Sequence, residues 1–346
     1  MTTRYWAGID IGGTKTAVVL SGGPPDILSR SEFPTLVAEG PQQAIEKMIA
    51  CLKQSLSSLG IDRQALTAIG VSCGSPLDRI SGVIQSPPNL STWVDVPITA
   101  ILSEEFGVPC RLENDANAGA LAEHRFGAGQ GTQHMVFLTM GTGLGAGIIA
   151  NGQLYHGASD LAGEIGHVRL TRSGPVGHNK AGSAEGWASG AGMADYARRV
   201  ILAEELKGRS TALKAVDSNG RALTAHDVAL AARAGDALAS GIILTVGQRL
   251  GAIMAILIDI LNPEMIVVGG LAMRLGDAIL NPARKVVERE SLSVAAAACR
   301  IVPALLDERI GDLAALGVAM SLEVTDEPVC AEPAQSHQRI QIAERD

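Results

Sequence analysis

The chain has 346 residues, 47% apolar and 18% charged, with a formal net charge of −8. That is a folded composition with material for about two domains. It excludes a disordered chain and speaks against a nucleic-acid partner, which would want a basic face. Five scattered cysteines (Cys51, Cys73, Cys110, Cys299, Cys330) are odd in number and lack CxxC spacing, so they read as reduced thiols. No signal-like pattern opens the chain. The most apolar region, 252–261, is interrupted by Asp259 and too short for a bilayer. A cytoplasmic protein without a membrane partner is expected.

Residues 4–10 read as a buried strand, with Tyr5, Trp6 and Ile9 giving β character. A turn at Gly12-Gly13, then Thr14 and Lys15, leads into the apolar run 17–20. Glycines let backbone N–H groups approach an anion closely. Thr14 adds a hydroxyl donor and Lys15 a positive charge. Asp10, at the strand end, is placed to hold Mg²⁺ through water, since that ion prefers oxygen ligands and keeps its own waters. A plain hairpin turn would need the same glycines. Residues 27–34 resemble a third strand. Residues 40–59 carry Ala44, Ile45, Met48, Ile49, Leu52 and Leu56 along one helical face, closed by Gly60. Residues 68–74 read as the next buried strand, so the order is that of a mixed sheet with helices packed on it.

An irregular segment, 75–96, contains Asp78, Pro87, Pro88, Asn89 and Trp93; turn formation is the plain reading of Asp78 and Asn89. A short helix closes at Phe106 and a strand follows at 110–113. Asn114-Asp115-Ala116-Asn117 then starts an Ala-rich helix. Asp115 is the candidate catalytic base, because open α/β sheets place ligands at such strand ends. Helix capping is the competing reading, since Asn and Asp are both favoured caps.

After a loop at 127–131 the pattern repeats: strand 135–140, the Gly-rich turn 141–147, strand 148–150. Gly141, Thr142 and Gly143 form a second phosphate-loop candidate beside the alternative of a ligand-free hairpin. Two similar lobes would each offer such a loop to one cleft, with a boundary near Ala118. Glu164 and His167 lie three apart and suit a polyol, a metal or an exposed loop pair. Residues 186–200 and 224–261 read as helical, stopped by Asn262-Pro263. Strand 265–268 precedes Gly269-Gly270, which would let an adenine ring lie against bare backbone or would serve helix packing. A helix at 275–292, a strand at 300–302 and a helix at 312–322 follow. From about 326 the chain is polar, broken by Pro328 and Pro333, and reads as a disordered tail.

The motifs together are specific: DIGGTKT at 10–16, SPPNLSTW at 86–93, ENDANAGALAE at 113–123, MGTGLGAGI at 140–148, GEIGHVRL at 163–170 and IVVGG at 266–270. On these the chain, from Gly8 to about Met320, resembles the ROK family of sugar kinases in the actin-like/hexokinase superfamily. The resemblance implies an α/β fold of two lobes, each a mixed sheet with helices. One lobe would be 1–118 plus about 303–325, the other 119–302, with 326–346 as tail. It implies an ATP-dependent hexose kinase acting normally on a 6-OH, with Asp115 as base. Asn89, Asn114, Glu164, His167 and Glu185 would hold the sugar. The loops Gly12–Lys15 (with Gly13 and Thr14) and Gly141–Gly143 would cradle ATP phosphates, with Asp10 near Mg²⁺ and with Gly269 and Gly270 facing the adenosine. A homodimer is expected by resemblance.

Two departures stand out. Many members carry a zinc site in a Cys-x-Cys-Gly-x-x-Gly-Cys run; here residues 176–183 hold no cysteine, and His167 and His178 cannot complete a tetrahedral site alone. No structural zinc is expected. Ser75 stands where the family usually has glycine beside the sugar. That leaves an N-acetylhexosamine kinase, for N-acetylmannosamine or N-acetylglucosamine, open beside a glucokinase. A non-catalytic sugar sensor and an actin-like scaffold are the rivals of other classes. No helix-turn-helix segment precedes Asp10, which disfavours a repressor.

Overall fold

The computed structural model describes residues 4–208, 211–216 and 220–323. The tail expected from 326 lies outside them. The first strands are β1 (Tyr5–Ile11), β2 (Lys15–Ser21) and β3 (Ser29–Pro34), followed by α1 (Pro41–Ser58) and β4 (Leu66–Cys73). A small hairpin, β5 (Leu77–Asp78) and β6 (Val83–Ile84), precedes α2 (Ile98–Phe106) and β7 (Cys110–Asn114). The main sheet runs β3-β2-β1-β4-β7, with β1–β3 antiparallel and β4 and β7 parallel to β1. β1 is buried on both faces, which is why it reads as a nearly unbroken apolar run. Ala7, Ile9 and Ile11 pack with Met48 and Leu52 of α1.

α3 (Asp115–Phe126) leads to the second sheet. Its strands are β8 (Met135–Met140), β9 (Leu144–Ala150) and the short β10 (Gln153–Leu154). A second hairpin, β11 (Val176–Gly177) and β12 (Lys180–Ala181), precedes the helices α4 (Ala184–Ala188), α5 (Gly190–Leu206), α6 (Ala225–Arg233) and α7 (Ala237–Leu261). Then come β13 (Met265–Gly270), α8 (Leu271–Leu275), α9 (Asp277–Glu290), α10 (Ser293–Ala298), β14 (Arg300–Pro303) and α11 (Ile310–Met320). The sheet order, β10-β9-β8-β13-β14, repeats the design of the first: three antiparallel strands, then two parallel.

α3 packs on β8 and β9, and α11 on β1 and β4; the two helices also meet. Their apolar faces share one core with residues of both sheets, including Phe137, Val267, Leu121, Leu313 and Leu316. α11 approaches its sheet closely because Gly8 and Gly70 lie side by side beneath it. A Cβ at Gly8 would meet the Leu316 amide at 2.9 Å, and one at Gly70 would run into the backbone of Ala315 and Ala319.

The apolar stretch expected at 252–261 is part of a longer helix. α7 has 25 residues and, by length and composition, would cross a bilayer. Most of it is instead packed against α4, α6 and α9 in the second core.

Candidate active site

Parallel pairing brings the carboxyl ends of β1, β4 and β7 to one edge. Asp10 pairs with Ser72, and Cys73 with Asn114. There Asp10, Gly12, Lys15, Asn89, Asp115 and Thr139 line a cavity of about 360 Å³. Capping falls to Asn114, whose Oδ1 accepts the Asn117 N–H at 2.8 Å. Asp115 is therefore the first residue of α3 and its carboxylate is released to the cleft. Asn114 also donates from Nδ2 to Ser75 Oγ at 3.4 Å, which joins two of the expected sugar contacts at the rim.

Asp115 opens to the cleft but is crowded by protein on its other sides. This desolvation raises its pKa, against hydrogen bonds from the N–H groups of Ala116 and Asp115 itself; the charge of Glu164, across the cleft, adds to the rise. Burial pushes Asp10 up to about 6, opposed by a hydrogen bond from Ser72 and reinforced by the charges of Asp115 and Asp312. Asp312 is held by Arg30 Nε at 2.7 Å. Lys15 and Arg30 line the same cavity, but their charges are engaged by Glu32 and Asp312, so Asp10 beside Asp115 offers oxygen ligands of the kind that suit Mg²⁺ held through water.

The first Gly turn is closed by the Gly12 N–H donating to Lys15 O at 3.0 Å. Gly13 lies against Asn89, where a Cβ would stand 2.5 Å from the Asn89 carbonyl oxygen. The Lys15 ammonium, expected near phosphate, is exposed and donates to Glu32 at 2.9 Å, while Thr14 is exposed beside it. The second Gly turn borders a larger cavity, about 620 Å³, lined by Gly141, Thr142, Gly270, Arg198, His226, Arg233 and Arg274 among others. The two cavities adjoin at the end of β8, where Thr139 lines one and Met140 the other. Gly269 does not face this cavity. Strand alternation buries it against the Phe137 ring, where a Cβ would lie 2.9 Å from Cζ, so only Gly270 of the pair is presented.

Across the cleft, Glu164 caps a single 3₁₀ turn, Ile165–His167, which sets its carboxylate 3.8 Å from His167 Nε2. Both side chains are exposed. Glu185 enters on the first turn of α4, where Ser183 accepts the Gly186 N–H. Its Oε2 accepts the Leu144 N–H at 3.2 Å, and Gly143 is bare because a Cβ there would sit 2.6 Å from that oxygen. Its Oε1 lies 3.1 Å from His178 Nε2, and the His178 ring stacks on His167, centroids 3.8 Å apart.

Four features escaped sequence reasoning. Ser72 sits in an ordinary strand run, and only its register against Asp10 marks it. Arg30 and Asp312 meet across 282 positions of chain. The arginines of the larger cavity come from three separate helices. His178 was visible in the sequence only as an incomplete metal ligand.

Two lobes of one design around a cleft, with carboxylates and Gly turns at the strand ends, define the actin-like, hexokinase-like ATPase fold in its sugar-phosphotransferase form. The chain belongs to the ROK family, whose model matches residues 6–321. A glucokinase from Halalkalibacterium halodurans is 35% identical over 294 residues, 84% of this chain and 88% of that protein. The bifunctional enzyme NanE/NanK from Brucella melitensis is 34% identical over 285 residues, 82% of this chain and 48% of that protein. A ROK family glucokinase from Streptomyces griseus, solved in complex with glucose and AMPPNP, is 28% identical with a TM-score of 0.71, covering 92% of this chain and 99% of that one.

Proposed function

We propose that this sugar kinase transfers the γ-phosphate of ATP to the 6-OH of glucose or a similar hexose, with Asp115 as general base. One observation carries the reading: Asp115, freed from capping by Asn114, faces the same cavity as Asp10, next to the Gly141–Thr142 cavity. A base with a raised pKa is better matched to taking a hydroxyl proton near neutral pH. Ser75, Asn89, Asn114, Glu164, His167 and Glu185 would hold the sugar hydroxyls. The turns at Gly12–Lys15 and Gly141–Gly143 would face the phosphates, with Gly270 and the larger cavity taking the adenosine. Asp10 would hold Mg²⁺ through water. When bound, that ion would offset charge on the phosphate oxygens. Closure of the cleft would exclude water as a competing acceptor.

A coupled ADP-release assay with glucose, mannose, fructose, N-acetylglucosamine and N-acetylmannosamine tests the reading. The highest kcat/KM is expected with glucose. Ser75 supports the second reading, an N-acetylhexosamine kinase, and a preference for either acetylated sugar would replace the first by it. No ADP release with any sugar, together with sugar binding by calorimetry, would leave a sensor. A cytoplasmic homodimer without structural zinc completes the proposal. Light scattering and elemental analysis of the purified protein check the dimer and the zinc.

A further inference from the structure

His178 sits at a left-handed position, where non-glycine side chains are uncommon. β11 and β12 are joined by His178 and Asn179, both left-handed, with φ of 49° and 55°. A two-residue loop of that shape favours Asn or Gly. Asn179 conforms; His178 is mildly strained there, as a residue with a Cβ is in the left-handed region. Such strain persists only where the surroundings fix the residue. The surroundings are two residues of the proposed sugar site. The His178 ring lies flat on His167, planes 21° apart, while its Nε2 reaches Glu185 Oε1 at 3.1 Å. From the far end of the same turn, Lys180 Nζ donates to the His167 carbonyl at 2.6 Å.

We propose that His178 is a positioning residue for sugar binding, a side-chain clamp that fixes His167 and Glu185 relative to each other. The proposal rests on the kinase reading given above. Glu185 already gives Oε2 to the Leu144 N–H. With Oε1 turned to His178, both oxygens are oriented and each keeps a lone pair for a hydroxyl. His167 is pinned by its ring face and its carbonyl, not through Nε2. That nitrogen stands 3.8 Å from Glu164, too far for a direct hydrogen bond, so a sugar hydroxyl can bond to both. His178 itself need not touch the sugar. Its effect falls on ground-state binding of sugar and leaves the nucleotide alone.

Three variants separate side chain from backbone. H178G relieves the left-handed strain and deletes the ring. H178A deletes the ring and keeps the strain. H178Q keeps an N–H donor within reach of Glu185. Steady-state kinetics are measured for each with the sugar the wild type prefers, alongside thermal unfolding. H178G is expected to unfold no earlier than wild type yet to raise the sugar KM roughly ten- to a hundredfold, the effect of misplacing contact groups by about an ångström. The ATP KM should change less than twofold. H178A should show the same KM defect, and H178Q should recover part of it. A sugar KM in H178G within twofold of wild type overturns the positioning role. So does an equal rise in both KM values, which would mark a general structural defect. A wild type that phosphorylates no sugar sinks the kinase reading instead, and this proposal with it.

Discussion

Asp10 and Asp115 are both held above the ordinary carboxylate range by desolvation at the cleft, and the charge of Asp115 adds to the rise at Asp10. For Asp115 as the proposed base this would be an advantage in catalysis, because a base must be ionised yet still willing to take a proton. D115N should lower kcat by on the order of 10²–10⁴-fold while calorimetry finds sugar affinity within a few-fold of wild type. Near wild-type turnover in D115N would show that the base lies elsewhere. With Asp115 as base, wild-type activity would need the ionised form and be lost as pH falls through the raised pKa. The acid limb of the rate profile should therefore lie above the ordinary aspartate range. Asp10 carries a cost in stability instead. Its folded pKa of about 6 exceeds the unfolded value of 3.8, so the folded state binds the extra proton between these values. Stability is fully present below 3.8 and is lost as pH rises through about 6. Without metal, D10N should be more stable than wild type at pH 7.5 by up to about 3 kcal/mol, and most of that gain should be gone near pH 4. Urea unfolding in EDTA at both pH values checks this, and an equal gain at both would refute it.

The Ala-rich helix α11 has little to grip except shape. It sits on β1 and β4 because Gly8 and Gly70 leave room for its backbone. G70A should cost about 2–4 kcal/mol through overpacking, since the clash is with helix backbone that has no rotamer to change. A loss of unfolding free energy in urea of under a tenth of that size would mean that α11 can ride up without loss. The strands and helices were legible in the sequence because each carries its own period: the double-faced apolar run of β1, the helical face of α1, the Gly punctuation of both turns. The third strand begins at Ser29, not Ile27, and the continuous helical region 224–261 is broken between α6 and α7 at Gly235 and Asp236, where Asp236 caps the second helix. The candidate site was legible where a motif is local, as at Asp10–Lys15 or Asn114–Asp115, which line one cavity or its rim. It was not where partners are assembled by register or by chain return. Ser72 reaches Asp10 only through strand pairing, and Asp312 reaches Arg30 only because α11 comes back to the first sheet. Gly269 and Gly270 read alike in sequence, and strand alternation alone decides which of them is presented.

At the scale of the molecule, two sheets of one topology are joined at their backs by α3 and α11 and touch again at the mouth of the cleft. There Arg79, beside the β5–β6 hairpin, reaches Asp160 of the second lobe at 2.9 Å. Close by, His156 Nε2 meets Glu113 Oε2 at 2.8 Å, while Glu113 Oε1 accepts from the Asn114 N–H and from Asn117 Nδ2. Glu113 is buried, so its remaining partners cannot be replaced by bulk water, and this contact ties β7 directly to the loop after β10. Arg79 and Asp160 are only half-buried, and an ion pair of that kind contributes about 1 kcal/mol or less. Its position makes even that amount functional, because it is gained only when the lobes meet. If sugar is held between the lobes, its affinity includes the free energy of bringing them together, and weakening the pair taxes sugar binding specifically. R79A and D160A should each raise the sugar KM about three- to fivefold, with kcat changed less than twofold. Because each removes the same contact, the double variant should be no worse than either alone. Salt distinguishes this from a packing defect: raising ionic strength should increase the wild-type sugar KM toward that of the variants and leave theirs unchanged. Additive effects, or equal salt dependence in all three, would show that the pair does not hold the cleft shut.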